Sequence, residues 1–227
     1  MSELAQEILL RLNALANPTN VAGMARYGIN PQNTLGVSIP VLRQIAKETG
    51  RDHQLAQELW ASGIHEARIL AVYLEDSKQV TDVQMERWVS DLDSWDVCDQ
   101  LCNNLFDRLP FSYAKALEWS TRQETFIKRA GFVLMATLAV HNKHMSNDQL
   151  EQFLTIILRE ATDERNYVKK SVNWALRQIG KRNRALNQLA IQTATQIGQI
   201  DDMTARWIAS DALRELISEK IQSRFKD

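Results

Sequence analysis

From about residue 55 onward, apolar residues return every three or four positions in stretches separated by short polar turns, which is the spacing of one helix face. These stretches predict helix pairs: Leu55–Ser62 with His65–Glu75, Met85–Leu92 with Trp95–Phe106, Tyr113–Ser120 with Glu124–Val140, Leu150–Glu160 with Arg165–Lys181, and Leu186–Gln199 with Met203–Glu219. The second helices are loosely self-similar, and Trp174-Ala-Leu-Arg-Gln-Ile echoes Asp211-Ala-Leu-Arg-Glu-Leu-Ile. A helix-pair repeat of this kind reads as an all-α solenoid of HEAT or armadillo-like type, in which no repeat buries its own apolar face and the stack is the core. The second helices are expected on the concave side. Residues 1–50 differ in texture, punctuated by Asn17-Pro18, Asn30-Pro31, Gly36 and Pro40, with Pro40 placed to open a helix over Pro40–Lys47. They read as an N-terminal helical cap and residues 51–227 as HEAT-like repeats. Since no linker interrupts the chain, residues 1–227 read as a single domain. No run of alternating β-branched residues predicts a strand.

Composition adds bounds. With 44% hydrophobic and 24% charged residues the chain is ordinary for a soluble globular protein. Eight Gly and four Pro in 227 residues supply few turns, in keeping with long helices. The longest apolar run, Ala130 to Val140, is too short to span a bilayer, and the polar, acidic N-terminus is not a signal sequence. Cys98 and Cys102 lie one helical turn apart, a spacing for two reduced thiols, so a cytosolic location is expected. The net charge of −1 argues against a nucleic-acid binder, but its distribution argues the other way. Between Arg165 and Ile200 there is no Asp or Glu, while Arg165, Lys169, Lys170, Arg177, Lys181, Arg182 and Arg184 all fall there. Such a segregated field can attract a polyanion; the plainer reading is a solvated helix face.

The residue in the least expected company is Asp99. On a helix, Val97, Cys98, Leu101 and Leu105 form the inward stripe, and Trp95, Asp99, Cys102 and Phe106 line up beside it. Gln100, Asn103 and Asn104 make the freely polar arc elsewhere. Asp93 and Asp96 are accounted for as residues of the helix start, through capping and the helix dipole. Asp99 lies past the first turn, so capping does not account for it. A carboxylate in an aromatic-flanked strip is either ion-paired, with Arg68 or Arg129 as candidates, or catalytic.

Arg165–Lys181 shows a similar division. Val168, Val172, Ala175 and Ile179 form its inward stripe, whereas Tyr167, Lys170, Ser171, Trp174, Gln178 and Lys181 lie on another face with Arg177 at the margin. A Trp among cations is either a stacking surface in a phosphate-binding groove or a ring covered by the next repeat and by Lys stems. Glu124–Val140 is apolar nearly all round and so central. Its deep cation, Arg129, either holds a phosphate or neutralises Asp99, and an Arg fork can do both. There is no Gly-rich phosphate loop and no G-x-S-x-G. His141 and His144 lack a third ligand, His65-Glu66 does not continue to H-E-x-x-H, and the cysteines lack companions, so no metal is expected. Met24-Ala-Arg-Tyr27 precedes Gly28 as a helix end would, and spacing alone gives Arg26 and Tyr27 no role.

Met24-Ala-Arg-Tyr27, Ser94-Trp-Asp-Val-Cys-Asp99, Phe126-Ile-Lys-Arg129 and Lys169-Lys-Ser-Val-Asn-Trp174-Ala-Leu-Arg177 together make the chain resemble the AlkD-like DNA alkylation repair family, the bacterial alkylpurine DNA glycosylases built of HEAT-like repeats. The resemblance implies a cleft in which Asp99 carries the electrostatics and Trp95 and Trp174 are the aromatic walls. Tyr27 is the implied additional aromatic, with Arg26 beside it. Lys128, Arg129, Lys169, Lys170, Arg177 and Lys181 are the implied DNA-backbone contacts. The implied activity is excision of N3- and N7-alkylated purines from double-stranded DNA through an oxocarbenium-like sugar, with no cofactor and no metal. A monomer in the bacterial cytosol and nucleoid, with no membrane partner, is expected. The alternatives are a non-catalytic DNA-binding HEAT-repeat protein for damaged or branched DNA and a protein-interaction scaffold.

Overall fold

The computed structural model describes residues 1–225, and among these every regular element is helical. The helices form two compact units, Met1–Leu109 and the part of the chain from Pro110 onward.

The first unit contains α1 (Glu3–Ala14), α2 (Pro18–Arg26), α3 (Ile39–Thr49), α4 (His53–Ala61), α5 (His65–Leu74), α6 (Asp82–Ser90), α7 (Trp95–Asn104) and a 3₁₀ turn, η1 (Phe106–Arg108). Helix starts follow from local chemistry: Ser2, Asn17, Asp52 and Thr81 each accept the backbone N–H three residues on, which satisfies one orphan donor of the first turn. Helix α5 is the hub and packs against α3, α4 and α7. Ala67, Ile69, Leu70, Ala71, Val72 and Leu74 are buried along it. Residues 1–50 do not stand apart, because α1 packs on α4 and α3 on α5. The indoles of Trp60 and Trp88 stack with centroids 4.1 Å apart, joining α4 to α6.

One element differs from expectation. The stretch Trp95–Phe106 is not one helix: α7 stops at Asn104 and Phe106 lies in η1. Pro110 disfavours helical backbone at Leu109, which is extended (φ −89°, ψ 150°), and the preceding turn tightens into i→i+3 bonds. Phe106 is thereby turned fully into the core.

The second unit contains α8 (Ser112–Trp119), α9 (Thr125–His141), α10 (Asn147–Arg159), α11 (Asn166–Gly180), α12 (Arg184–Gly198), α13 (Met203–Leu216) and α14 (Glu219–Gln222). Helix α9 is buried without a break from Ile127 to Ala139, as its all-round apolar character requires, and packs on α8 and α11. At Gly131 the backbone of α8 comes so close that a Cβ would sit 2.6 Å from the Ser120 nitrogen. Ser146 and Gln149 form a capping box at α10, and Asn183 and Asp202 cap α12 and α13.

Candidate active site

In the first unit, α2, α3, α5, α7 and the loop after α2 enclose a pocket of about 720 Å³. Three of the residues singled out in the sequence, Tyr27, Trp95 and Asp99, line it together. Met24, Ile29, Val37, Ile39 and Ile69 supply apolar surface, and His65, Glu66, Asp96 and Gln100 supply the remaining polar chemistry.

The loop that forms one wall is held from within. Tyr27 ends α2, and Gly28, at φ 77°, carries the chain through the left-handed region. The Gly28 and Ile29 amides then donate to the Ala25 and Met24 carbonyls, at 2.9 and 3.2 Å, the paired bonds of a Schellman stop. Further on, the fully buried carboxylate of Glu66 accepts from the amides of Leu35 (2.8 Å) and Gly36 (2.6 Å). A buried charge needs such donors, and a loop needs such an acceptor. Gly36, at φ 79°, cannot be replaced without strain: a Cβ there would lie 2.4 Å from the Asn17 carbonyl oxygen. The loop is also tied to the start of α7, where buried Ser94 accepts from the Asn30 amide at 3.1 Å.

Tyr27 is 78% exposed, and its carbonyl accepts from the Trp95 indole nitrogen at 3.1 Å, so the two aromatics share one mount. Trp95 and Asp99 are half-buried, one turn apart on α7, while Cys102 beyond them is fully buried. Arg26 is exposed next to Tyr27.

The acids before Asp99 do more than start the helix. Asp93 accepts from the Asn30 side-chain amide at 2.9 Å and lies 3.8 Å from Arg68, outside any capping geometry. Asp96 is in the first turn, but its Oδ2 pairs with His65 Nε2 at 2.9 Å. Burial disfavours a charged His65, yet the hydrogen bond and charge of Asp96, reinforced by Glu66 and Asp93, outweigh it and raise the imidazole pKa. His65 and its partner were missed in the sequence, where His65-Glu66 was weighed only as a failed metal motif. The helical arc of Gln100 and Asn104 is not freely solvated either: Tyr73 donates to Gln100 Oε1 at 2.7 Å, and Asn104 donates to it at 2.9 Å. Arg68, one of the proposed partners of Asp99, spends its guanidinium on the Asp91 carbonyl (2.8 Å), on Asp93 and over the Trp60 ring.

In the second unit the basic run divides sharply. Lys128 is buried and its ammonium sits between Glu160 (2.6 Å) and Asp163 (2.8 Å). Expected as a phosphate contact, it is engaged instead in a partly buried ion cluster in this structure. Burial alone would raise the pKa of Asp163, but hydrogen bonds and charge from Arg165 and Lys128 hold it down at about 2. Arg129 is buried and donates to the Tyr167 carbonyl at 2.7 Å. Arg177 and Lys181 both reach Glu215, at 2.8 and 2.7 Å, and Arg177 also approaches Asp211 at 3.6 Å. Arg182 caps the Ala139 and Asn142 carbonyls, and Arg184 donates to the Phe225 carbonyl. The stretch that lacks acids in sequence thus receives them from α13 and from the loop before α11.

Lys169 and Lys170 are different. Among the described residues neither has a carboxylate partner; Lys170 is exposed, and Lys169 places its ammonium 5.6 Å from the centre of the Trp207 ring. Trp174 is half-buried on α11, off the stripe of Val168, Val172, Ala175 and Ile179, all of which are fully buried. Ser171, expected on the polar face, is instead fully buried and donates to the Val168 carbonyl at 2.8 Å.

Among the described residues no group of three or more His, Cys, Asp or Glu side chains is placed to hold a metal ion, and no helix is long and apolar enough to cross a membrane.

A family model described as DNA alkylation repair enzyme matches residues 8–216. A solved structure described as "a new family of proteins related to the HEAT-like repeat DNA glycosylases with affinity for branched DNA structures" aligns with a TM-score of 0.77 at 17% identity, covering 93% of this chain and 95% of that one. At that identity the likeness speaks for the fold, which is HEAT-like. No curated protein matches.

Proposed function

The chain belongs to the DNA alkylation repair enzyme family, and from that membership we propose that it binds double-stranded DNA and excises N3- or N7-alkylated purines. The observation that carries the reading is the shared pocket of Tyr27, Trp95 and Asp99. An alkylated purine is cationic, so its glycosidic bond is weakened before the enzyme acts. As the base departs, positive charge develops on the sugar. A fixed carboxylate beside it stabilises that charge and can orient the attacking water. Aromatic faces favour the same cationic centre and add contact area to the deoxyribose. In this reading Asp99 is the electrostatic catalyst, and Trp95 presents its ring beside it. Trp174 is proposed as a further aromatic contact to the substrate, and Arg129 as a cation for its backbone. Arg26 and Tyr27, both exposed at the end of α2, are proposed to meet the DNA first.

The test is release of N7-methylguanine and N3-methyladenine from methylated duplex DNA. The wild type is expected to exceed the spontaneous rate, and Asp99→Asn to lose about a hundredfold. Full activity in Asp99→Asn, or no release by the wild type, removes the catalytic assignment.

A second reading, binding without excision, is favoured by one observation. Arg165, Arg177 and Lys181 are already paired with carboxylates within the fold, so a grip tight enough to strain a nucleotide has fewer charges to draw on. The solved relative described by its affinity for branched DNA makes such structures the natural ligands to try. Salt-sensitive binding with no base release by the wild type would support this reading over the first.

A further inference from the structure

Helix α13 carries a feature that the reading above does not use. Its inward face is complete: Thr204, Ala205, Ile208, Ala209, Ala212 and Leu216 are all buried. Trp207 is not part of it and remains 41% exposed, and Met203, one turn earlier on the same face, is 81% exposed. Together they form a small apolar patch outside the core, a partly exposed ring next to a well-exposed thioether. Arg206 and Arg214 share the exposed side of the helix, and Lys169 reaches the ring from α11.

We propose that Trp207, with Lys169 over its ring and Met203 beside it, is a stacking ledge for an unpaired DNA base. The inference rests on the DNA-binding half of the proposed function, not on the excision half. Stacking on an indole needs one open aromatic face and rewards any base, because every base has a π-face. The ammonium of Lys169 supplies the phosphate contact for the same nucleotide, and Lys170, exposed on the next position of α11, supplies another. The Arg206–Asp201 and Arg214–Asp211 pairs are surface pairs that a phosphate can replace at little cost. A protein partner is less well served: two apolar side chains in a basic setting do not make the cluster of buried anchors that the centre of a protein interface requires. Within a paired duplex a base has both faces occupied, so the ledge selects DNA in which pairing is interrupted.

The experiment compares a blunt duplex with the same duplex carrying an unpaired arm, by fluorescence anisotropy. Wild type is expected to prefer the armed DNA. Trp207→Ala is expected to weaken armed-DNA binding about tenfold and leave blunt-duplex binding unchanged, whereas Trp207→Phe keeps most of the preference. In the wild type, 5-iodouracil at the first unpaired position is expected to crosslink to Trp207 on irradiation, a readout that needs no variant to fold. The proposal is overturned by equal binding of both DNAs by the wild type, by equal loss on both in Trp207→Ala, or by a crosslink elsewhere. Base release from methylated blunt duplex, measured in parallel, separates the two claims. Armed-DNA preference without release leaves the ledge standing; release without the preference removes the ledge alone.

Discussion

At His65 two opposing effects meet on one imidazole. Burial favours the neutral ring, and the Asp96 carboxylate at 2.9 Å favours the cation, with Glu66 and Asp93 on the same side. The second effect wins, so the pKa in the folded protein lies above that of the unfolded chain. The sign of the consequence follows. The stabilisation is complete below the ordinary histidine value and is lost as pH rises through the raised folded value. Thermal or urea unfolding is therefore expected to show stability falling as pH rises above the ordinary histidine value, with the slope flattened in His65→Gln. An unchanged slope in that variant would show that the pair contributes nothing to stability. The same pair lies on the wall of the Asp99 pocket.

Among the elements, α9 and α11 show how burial dictates the use of charge. Lys128, buried beside Arg129 on a largely apolar helix, closes a cluster with Glu160, Asp163 and Arg165. Lys128→Met is expected to cost about 3 kcal/mol, the lower part of the range for breaking a buried pair, because Arg165 still pairs with Asp163 and Arg159 with Glu160. Asp163 titrates at about 2 against an ordinary 3.8, so its stabilisation is present above the ordinary value and lost as pH falls through the folded one. Acid unfolding should accordingly shift in Asp163→Asn, with the change concentrated between those two values. The helix pairs were legible in the chain from apolar spacing alone, and Asn183 and Asp202, which cap α12 and α13, fix the starts that spacing left approximate. The inward stripe of α11 was legible for the same local reason. What could not be read was the placement of Glu215 against Arg177 and Lys181, since those partners are more than thirty residues apart and meet only after α13 docks on α11.

For the whole molecule, the electrostatics differ from the linear charge pattern. Within the basic run Arg165, Arg177 and Lys181 are paired with Asp163, Asp211 and Glu215 and Arg182 is held on backbone carbonyls, whereas Lys169, Lys170 and Arg26 stand apart from those pairs. DNA affinity is therefore expected to depend only modestly on salt, with a log–log slope corresponding to about two to four phosphates. Lys170→Ala should reduce that slope by about one, on any DNA sequence. A steep slope, or one indifferent to Lys170, would place the contact surface elsewhere. The pocket of Tyr27, Trp95 and Asp99 was half legible. The spacing of α7 put Trp95 and Asp99 on one strip, but the distant loop that completes the pocket depends on Glu66, whose burial no local pattern announces.

That clamp also bears on how the chain can change over time. Glu66 satisfies two amides of a loop some thirty residues away, and one of them belongs to a glycine that tolerates no side chain. Glutamate and glycine are thus a single unit of inheritance: drift at either one leaves a buried charge or a collapsed turn at the other. The exposed side chains around them, Arg26 and Tyr27 included, are held in place by a backbone that is secured from inside.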